Sequence, residues 1–221
     1  MKLRILHRTE YRYALPVRNN CNELRVTPLA TPRQKPGLHL VKVLPAVRLS
    51  RYPDLYRNTV HRFEVEEPHK ELVVDVSSVV ETFPTPLSAG PTDVPIAAVR
   101  RDEVIEAFQP FLDVEKERTD LFSVLIGLMD YVHGSCRYVP GATHIGTHTE
   151  EFFANPQGVC QDYAHLLMAL CRSIGIPARY VCGYVFDAKR GDVIGSHASH
   201  AWCEAWMPGY GWLGADPTNK K

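Results

Sequence analysis

The sequence carries no excess charge of either sign: Lys and Arg together number 25, and so do Asp and Glu. That balance offers no basic footprint for nucleic acid and no polybasic anchor for a membrane surface. Long apolar runs are also missing. The first residues, Met1-Lys2-Leu3-Arg4-Ile5-Leu6-His7-Arg8, interleave charge with apolar side chains, and no later stretch approaches transmembrane length. The N-terminus therefore reads as neither a signal-peptide core nor a spanning helix. The six cysteines (Cys21, Cys136, Cys160, Cys171, Cys182, Cys203) include no CxxC pair. With no export signal they are expected to be free thiols of a reducing cytoplasm. Internal repeats and low-complexity segments are absent. No nucleic acid, membrane or cofactor is expected as a partner.

What is present is enough apolar material for a packed core. Of 221 residues, 45% are hydrophobic and 23% charged. Residues 1–83 read as β. Leu3, Ile5, His7, Thr9, Tyr11 and Tyr13 recur at the period of a half-buried strand, which Pro16 is expected to end. Asn22 to Thr27, Leu38 to Val43, Thr59 to Val65 and Leu72 to Thr82 follow as further strands. Proline-bearing segments separate them, one at Thr31 to Gly37 and a turn at Tyr52-Pro53-Asp54. Short strands between turn signals predict an antiparallel, sandwich-like domain.

Residues 84–95, rich in Pro, Ser, Thr and Gly, read as a linker. Beyond it the period becomes helical. A helix is predicted from Ile96 to Phe108, ended by Pro110. A stronger one runs from Asp120 to Cys136, with Leu121, Val124, Leu125, Leu128 and Val132 on one face. Tyr138 to Thr149 reads as a loop and Glu150 to Ala154 as one helical turn. After a helix starting at Cys160 the period falls to two again. Ala178 to Phe186, Ser199 to Trp206 and Trp212 to Asp216 are predicted strands, with turns at Asp187 to Asp192 and Met207 to Gly211. Residues 96–221 thus form a second domain, and the fold class is α+β.

The stretch Gly158-Val159-Cys160-Gln161-Asp162-Tyr163-Ala164-His165 organises this half. Apolar Ala164, Leu167, Met168 and Cys171 follow Cys160 at helical spacing, and Gly175 with Pro177 stops the helix. Asn155-Pro156-Gln157-Gly158 cannot be regular helix, so Cys160 falls on the first turn. The free N–H groups and positive dipole end there stabilise a thiolate. A buried cysteine is also common and usually inert.

A cysteine nucleophile needs a base and a group that orients the base. Chain order offers His200 early on one strand and Asp216 at the end of the next. With the turn centred near Gly209, His200 lies nine residues before it and Asp216 seven after, within diagonal reach of an antiparallel pair. Taken singly, each has an ordinary explanation. His200 reads as a satisfied core histidine, Asp216 as a turn residue before Pro217, and Trp202, Trp206 and Trp212 as core. Asp162 is expected to support the helix start, and His165 to face a core or an interface. His197, His200 and Cys203 are spaced three apart, which on a strand sends neighbours to opposite faces and argues against zinc.

Four ordered motifs then carry a resemblance. They are Gly158-Val159-Cys160-Gln161-Asp162, Gly175-Ile176-Pro177-Ala178-Arg179-Tyr180-Val181, Ser199-His200-Ala201-Trp202 and Asp216-Pro217-Thr218-Asn219. They resemble the core signatures of the bacterial transglutaminase-like proteins, of the papain-like transglutaminase superfamily that includes cysteine proteases. Tyr138, Gly141, Thr143 and Thr147 resemble the family's run before the cysteine loop. Leu6 to Tyr13, Pro16-Val17 and Leu24-Arg25-Val26-Thr27-Pro28 resemble its N-terminal β-domain. Members usually continue past the Asp-Pro-Thr motif, whereas this sequence stops at Lys221, so the core is expected to be C-terminally short and Asp216 to lie near a fraying end.

The resemblance implies Cys160 as nucleophile, His200 as general base and acid, and Asp216 as orienting carboxylate. The fold it implies is one helix packed on an antiparallel sheet. The implied chemistry is acyl transfer from a protein or peptide amide through a thioester, resolved by water (slightly favoured) or by a lysine amine. The Cys160 backbone N–H is a natural oxyanion donor. Two other readings stay open: a non-catalytic interaction module on the same scaffold, and the zinc site.

Overall fold

The computed structural model describes residues 1–84, 121–144, 146–186, 199–207 and 210–221. The linker beyond Pro84, the helix expected at 96–108, the turn at 187–192 and His197 lie outside them. The chain divides into two compact units, Met1–Pro86 and Leu87–Lys221.

The first unit contains two three-stranded antiparallel sheets. In one, β6 (His69–Thr82) lies between β1 (Lys2–Val17) and β3 (Gln34–Leu44); in the other, β5 (Thr59–Val65) lies between β2 (Asn20–Leu24) and β4 (Ser50–Pro53). Val43, Leu72, Val74 and Val76 from the first sheet pack with Phe63 and Val65 from the second. This is the sandwich expected from the alternation.

Several boundaries differ from the sequence reading, two of them at prolines. Strand β1 continues through Pro16, and β3 begins at Gln34 and takes in Pro36 and Gly37. Both are outer strands of their sheet, with pairing irregularities at 12–17 and 36–39. Proline lacks a donor, and an edge position tolerates the loss. Strand β4, expected only as a turn, is exposed along its whole length, so no burial alternation marked it.

One polar cluster interrupts this unit. His39 shares one hydrogen bond with Ser78 (2.9 Å) and another with Thr27 (3.1 Å). The ring of His61 lies 5.6 Å from that of His39, and its buried Nδ1 has no hydrogen-bond partner among the described residues.

In the second unit, α1 (Leu121–Ser135) buries Val124, Leu125, Leu128 and Val132, as its spacing predicts. Leu121 in the first turn is exposed. Short β7 (Arg137–Tyr138) pairs in parallel with β8 (Gln157–Gly158), and α2 (Thr149–Ala154) lies between them in sequence. Helix α3 (Cys160–Ser173) follows, then β9 (Ala178–Gly183), β10 (His200–Met207) and β11 (Gly211–Ala215), with β10 central in an antiparallel sheet.

Helix α3 lies on one face of that sheet. Ala201, Cys203, Ala205 and Met207 of β10 are buried, as are Ala178 and Ala215 beside them. Small side chains on the sheet leave room for Leu166, Leu167 and Leu170 of the helix, each contributing about 1.5–3 kcal/mol by burial. Beneath them the Cys171 and Cys203 thiols share a hydrogen bond. Gly175, at φ +84°, ends the helix, and the Ile176 N–H reaches back to the Cys171 carbonyl (2.9 Å). Among the described residues no helix is long and apolar enough to cross a membrane.

The histidine cluster sets a pH dependence. Burial, aided by the charge of Arg51, holds His39 below its ordinary value; burial, His39 and Arg51 do the same for His61. The unfolded chain therefore binds more protons, and stability held above pH about 6.5 is lost as pH falls below it. Thermal unfolding should show a drop in Tm between pH 7.5 and 5.5 that is smaller for His61→Phe. An equal drop in both proteins would remove His61 as a contributor.

Candidate active site

The loop before α3 is built by backbone pairing. Arg137 N–H donates to the Pro156 carbonyl and Val139 N–H to that of Gly158, both at 2.8 Å, which clamps the strand of Tyr138 beside the residues preceding Cys160. Asp162 then closes the helix start. Its Oδ2 accepts the backbone N–H of Val159 (2.8 Å) and the hydroxyl of Thr143 (2.8 Å). Val159 has no side-chain acceptor to return the favour, so one carboxylate caps the helix from within. Gly158 is required by this closure: a Cβ there would run into the Asp162 carboxylate and the Phe152 ring. Asp162 thus has the supporting place expected of it.

Cys160 emerges half-buried from this turn. Burial alone would push its thiol up. The nearby His200 imidazole and the Ala201 and Gln161 backbone N–H groups outweigh burial and bring it below its ordinary value.

His200 opens β10 and is only 1% exposed. Its Nε2 donates to Asp216 Oδ2 at 2.8 Å. The remaining nitrogen, Nδ1, is buried and has no hydrogen-bond partner among the described residues. Burial pulls His200 down, but the Asp216 hydrogen bond and the charges of Asp216 and Cys160 prevail and raise it to about 9. The ring stacks on Trp202 (6.3 Å between centroids, 25° between planes). The indole lies over Gly183 on β9, where a Cβ would stand 2.7 Å from it, and beside Gly214 on β11.

Asp216 stands one residue beyond β11. The pairing Cys203↔Ala215 continues to set Asp216 across from Trp202, so His200 is its diagonal neighbour. Oδ1 accepts the Thr218 N–H (3.0 Å), and Oδ2 accepts the Asn219 side-chain N–H (2.8 Å) as well as His200. Burial raises this carboxyl, yet these donors hold it below its ordinary value.

The expected fraying is not found, because the terminal turn is tied at several points. Asp216 and Lys221 exchange backbone hydrogen bonds at 2.6 and 3.2 Å, His133 Nδ1 of α1 donates to the Pro217 carbonyl (2.9 Å), and Lys220 pairs with Asp130 (2.9 Å). Periodicity gave no sign of His133.

The structure therefore brings Cys160, His200 and Asp216 together. Near the start of α3 a cleft of about 70 Å³ is lined by His144, His148, Phe152, Gln161, Asp162 and His165, and by none of these three. His165 meets the edge of Tyr180 at 4.8 Å. Among the described residues no cluster of three or more His, Cys, Asp or Glu could hold a metal ion. Cys203 faces α3 while His200 is turned to Asp216, so the strand spacing separates two of the three residues of the zinc reading.

The fit at Gly158 is testable. Gly158→Ala must displace Asp162 or Phe152. It should destabilise the chain by about 1–3 kcal/mol, as overpacking does, and slow alkylation of Cys160 by iodoacetamide. Unchanged stability and alkylation would show that the loop absorbs the methyl.

With this geometry in hand, comparison with known proteins is direct. Residues 113–217 match the family described as Transglutaminase-like superfamily, and residues 3–81 match the Bacterial transglutaminase-like N-terminal region. An uncharacterized protein of Mycobacterium leprae is 36% identical over 99% of this chain and 83% of its own length. An uncharacterized protein of Mycobacterium tuberculosis is 32% identical over 99% of this chain and 79% of its own. A Pseudomonas aeruginosa protein-glutamine gamma-glutamyltransferase is 36% identical over 83 residues, 36% of this chain and 12% of that protein. Among solved structures, a "Putative Cysteine Protease" from Cytophaga hutchinsonii shares the fold, with a TM-score of 0.75 and 23% identity over all of this chain and 77% of its own. From its N-terminal β-sandwich to the cysteine helix and sheet, the chain belongs to the bacterial transglutaminase-like family.

Proposed function

We propose that the chain is a thiol enzyme transferring acyl groups from protein or peptide amides, with Cys160 as nucleophile, His200 as general base and acid, and Asp216 as the residue orienting His200. The observation carrying this reading is the electrostatic pairing at the site: a half-buried thiol held below its ordinary value by an imidazole raised to about 9, itself fixed by a carboxylate. Such a pair rests as thiolate and imidazolium. The thiolate adds to the amide carbonyl, and the N–H of Cys160 at the helix start faces the developing oxyanion. His200 gives its proton to the departing ammonia or amine, leaving a thioester on Cys160. It then takes a proton from the incoming water or amine, which releases the acyl group.

Water is the favoured acceptor, since it reaches any open site. The glutamyltransferase named for the Pseudomonas relative makes a lysine amine the acceptor to test beside it. Six free thiols, two of them exposed, suit a reducing cytoplasm. Against the non-catalytic reading, the thiol is not sealed from solvent and the His200 imidazole is near enough to lower it.

Ammonia release and crosslinking, measured on glutamine-containing peptides with and without a primary amine, test this. Cys160→Ala should abolish both, and His200→Ala should lower turnover by about 10²–10⁴-fold. Cys160→Ala with undiminished activity would end the proposal.

A pH series gives a second check. Iodoacetamide alkylation of Cys160 should already be fast below pH 9, where the other thiols are slow, and amide turnover should fall above about pH 9 as His200 loses its proton. Wild-type Cys160 reacting no faster than the other five thiols would contradict the ion pair. The stability sign follows as well. His200 is raised, so its contribution is full below pH 6.5 and fades as pH rises through about 9.

A further inference from the structure

Cys160 has a second thiol beside it at the helix start. Pairing sets Ala178, Tyr180 and Cys182 of β9 directly across from Ala205, Cys203 and Ala201 of β10, so all six share the face of the sheet that α3 covers. The helix runs back along this row. Arg172 near its end donates from Nε to the Ala178 carbonyl (2.9 Å), and His165, further toward its start, meets the edge of Tyr180 (4.8 Å). From that ring contact, two strand residues carry the row onward to Cys182, about 6.7 Å, and five helix residues lead back to Cys160, about 7.5 Å. Strand and helix thus bring their thiols to the same end of the interface. Ala201, the direct partner of Cys182, stands there too, with its N–H toward the Cys160 sulfur.

The two thiols differ in cover. Helix α3 begins at Cys160, so no part of it extends over Cys182, which is exposed. Cys171 and Cys203, deeper under the helix, are buried. The row therefore ends in one half-buried thiol and one that solvent reaches freely. A reactive thiolate with an accessible second thiol beside it is the arrangement that peroxide oxidation closes reversibly.

We propose that Cys160 and Cys182 form a dithiol site for hydroperoxides, in which Cys182 captures the oxidised nucleophile as a disulfide. The Cys160 thiolate attacks the terminal oxygen of the hydroperoxide. The O–O bond breaks, sulfur gains a hydroxyl, and the departing oxygen takes the His200 proton and leaves as an alcohol, or as water when the oxidant is hydrogen peroxide. Sulfur loses two electrons and the peroxide gains them. The Cys182 sulfur then attacks this sulfenic acid: the S–S bond forms, the S–O bond breaks, and the hydroxyl leaves with the Cys182 proton as water. Amide attack is shut off while the disulfide stands, and a small thiol reductant restores it. Without Cys182, further peroxide would carry Cys160 to the sulfinic acid, which such a reductant does not reverse.

The inference rests on the reactive thiolate of the acyl-transfer reading, and the experiment tells the two apart. The reduced full chain is treated with limiting hydrogen peroxide, its remaining thiols are blocked with N-ethylmaleimide, and its peptides are mapped by mass spectrometry without reduction. The Cys160 peptide should be found joined to the Cys182 peptide, and dithiothreitol should restore Cys160 alkylation by iodoacetamide. Cys182→Ser should alkylate at Cys160 within about twofold of wild type before peroxide, since Cys182 supports neither His200 nor the thiolate. After excess peroxide and dithiothreitol its recovered alkylation should be about fivefold below wild type, with sulfinic acid on Cys160. A Cys160 that is alkylated fast but found joined to Cys136, or to no thiol, would overturn this inference and leave the acyl-transfer reading standing. So would equal recovery in wild type and Cys182→Ser. A Cys160 that neither alkylates nor oxidises ahead of the other five thiols would take both down.

Discussion

The register between the last two strands governs how the candidate site is assembled. Cys203 pairs with Ala215, and that one choice puts Asp216 on the diagonal of His200. A slip by one residue would turn Asp216 to the other face of the sheet, where α3 packs. The imidazole would then lose the partner that raises it, and the thiol the charge that lowers it. The alternation of β10 enforces the register: Ala201, Cys203, Ala205 and Met207 are buried against α3, and the opposite residues carry His200, Trp202, Glu204 and Trp206. Packing on one face thus sets the site on the other. The outer face has its own latch, for Trp206 and Trp212 meet across the strands (5.4 Å), with Arg179 over Trp212 and paired to Glu204.

Around that register the remaining contacts protect two short segments that periodicity alone cannot hold. The turn carrying Asp216 is gripped from α1 by His133 and closed by the exchange with Lys221. The loop carrying Cys160 is gripped by β7 and by one oxygen of Asp162. Each grip uses backbone groups that would otherwise be unpaired donors or acceptors at an element's end, so the site's rigidity comes largely from satisfying backbone polarity.

Much of this was legible because burial writes itself into spacing. Strand β5 coincides with its predicted bounds at Thr59 and Val65, and the cysteine helix begins where the loop residues required. The nine-and-seven count across the Gly209 turn anticipated the diagonal meeting of His200 with Asp216. The illegible parts have physical reasons. Strand β4 buries nothing, and β7 and β8 are two residues each, too short for any period. Proline at 16 and 36 looked like punctuation because edge status is a property of the sheet. Tyr138 was readable as part of a motif, but its place beside Gly158 arises from a parallel pairing between segments twenty residues apart in sequence.

The space under Trp202 has a consequence for how the site is tuned. The indole rests against two bare backbones, Gly183 on one neighbouring strand and Gly214 on the other, and the imidazole of His200 leans on the indole. A methyl group at position 183 would lift one edge of the indole, and the tilt would pass to the ring above it. Positions on β9 and β11 that touch neither thiol nor carboxylate therefore act as shims under the imidazole. Its pitch toward sulfur is adjustable from outside the Cys160, His200 and Asp216 cluster, by single side chains that touch none of the three.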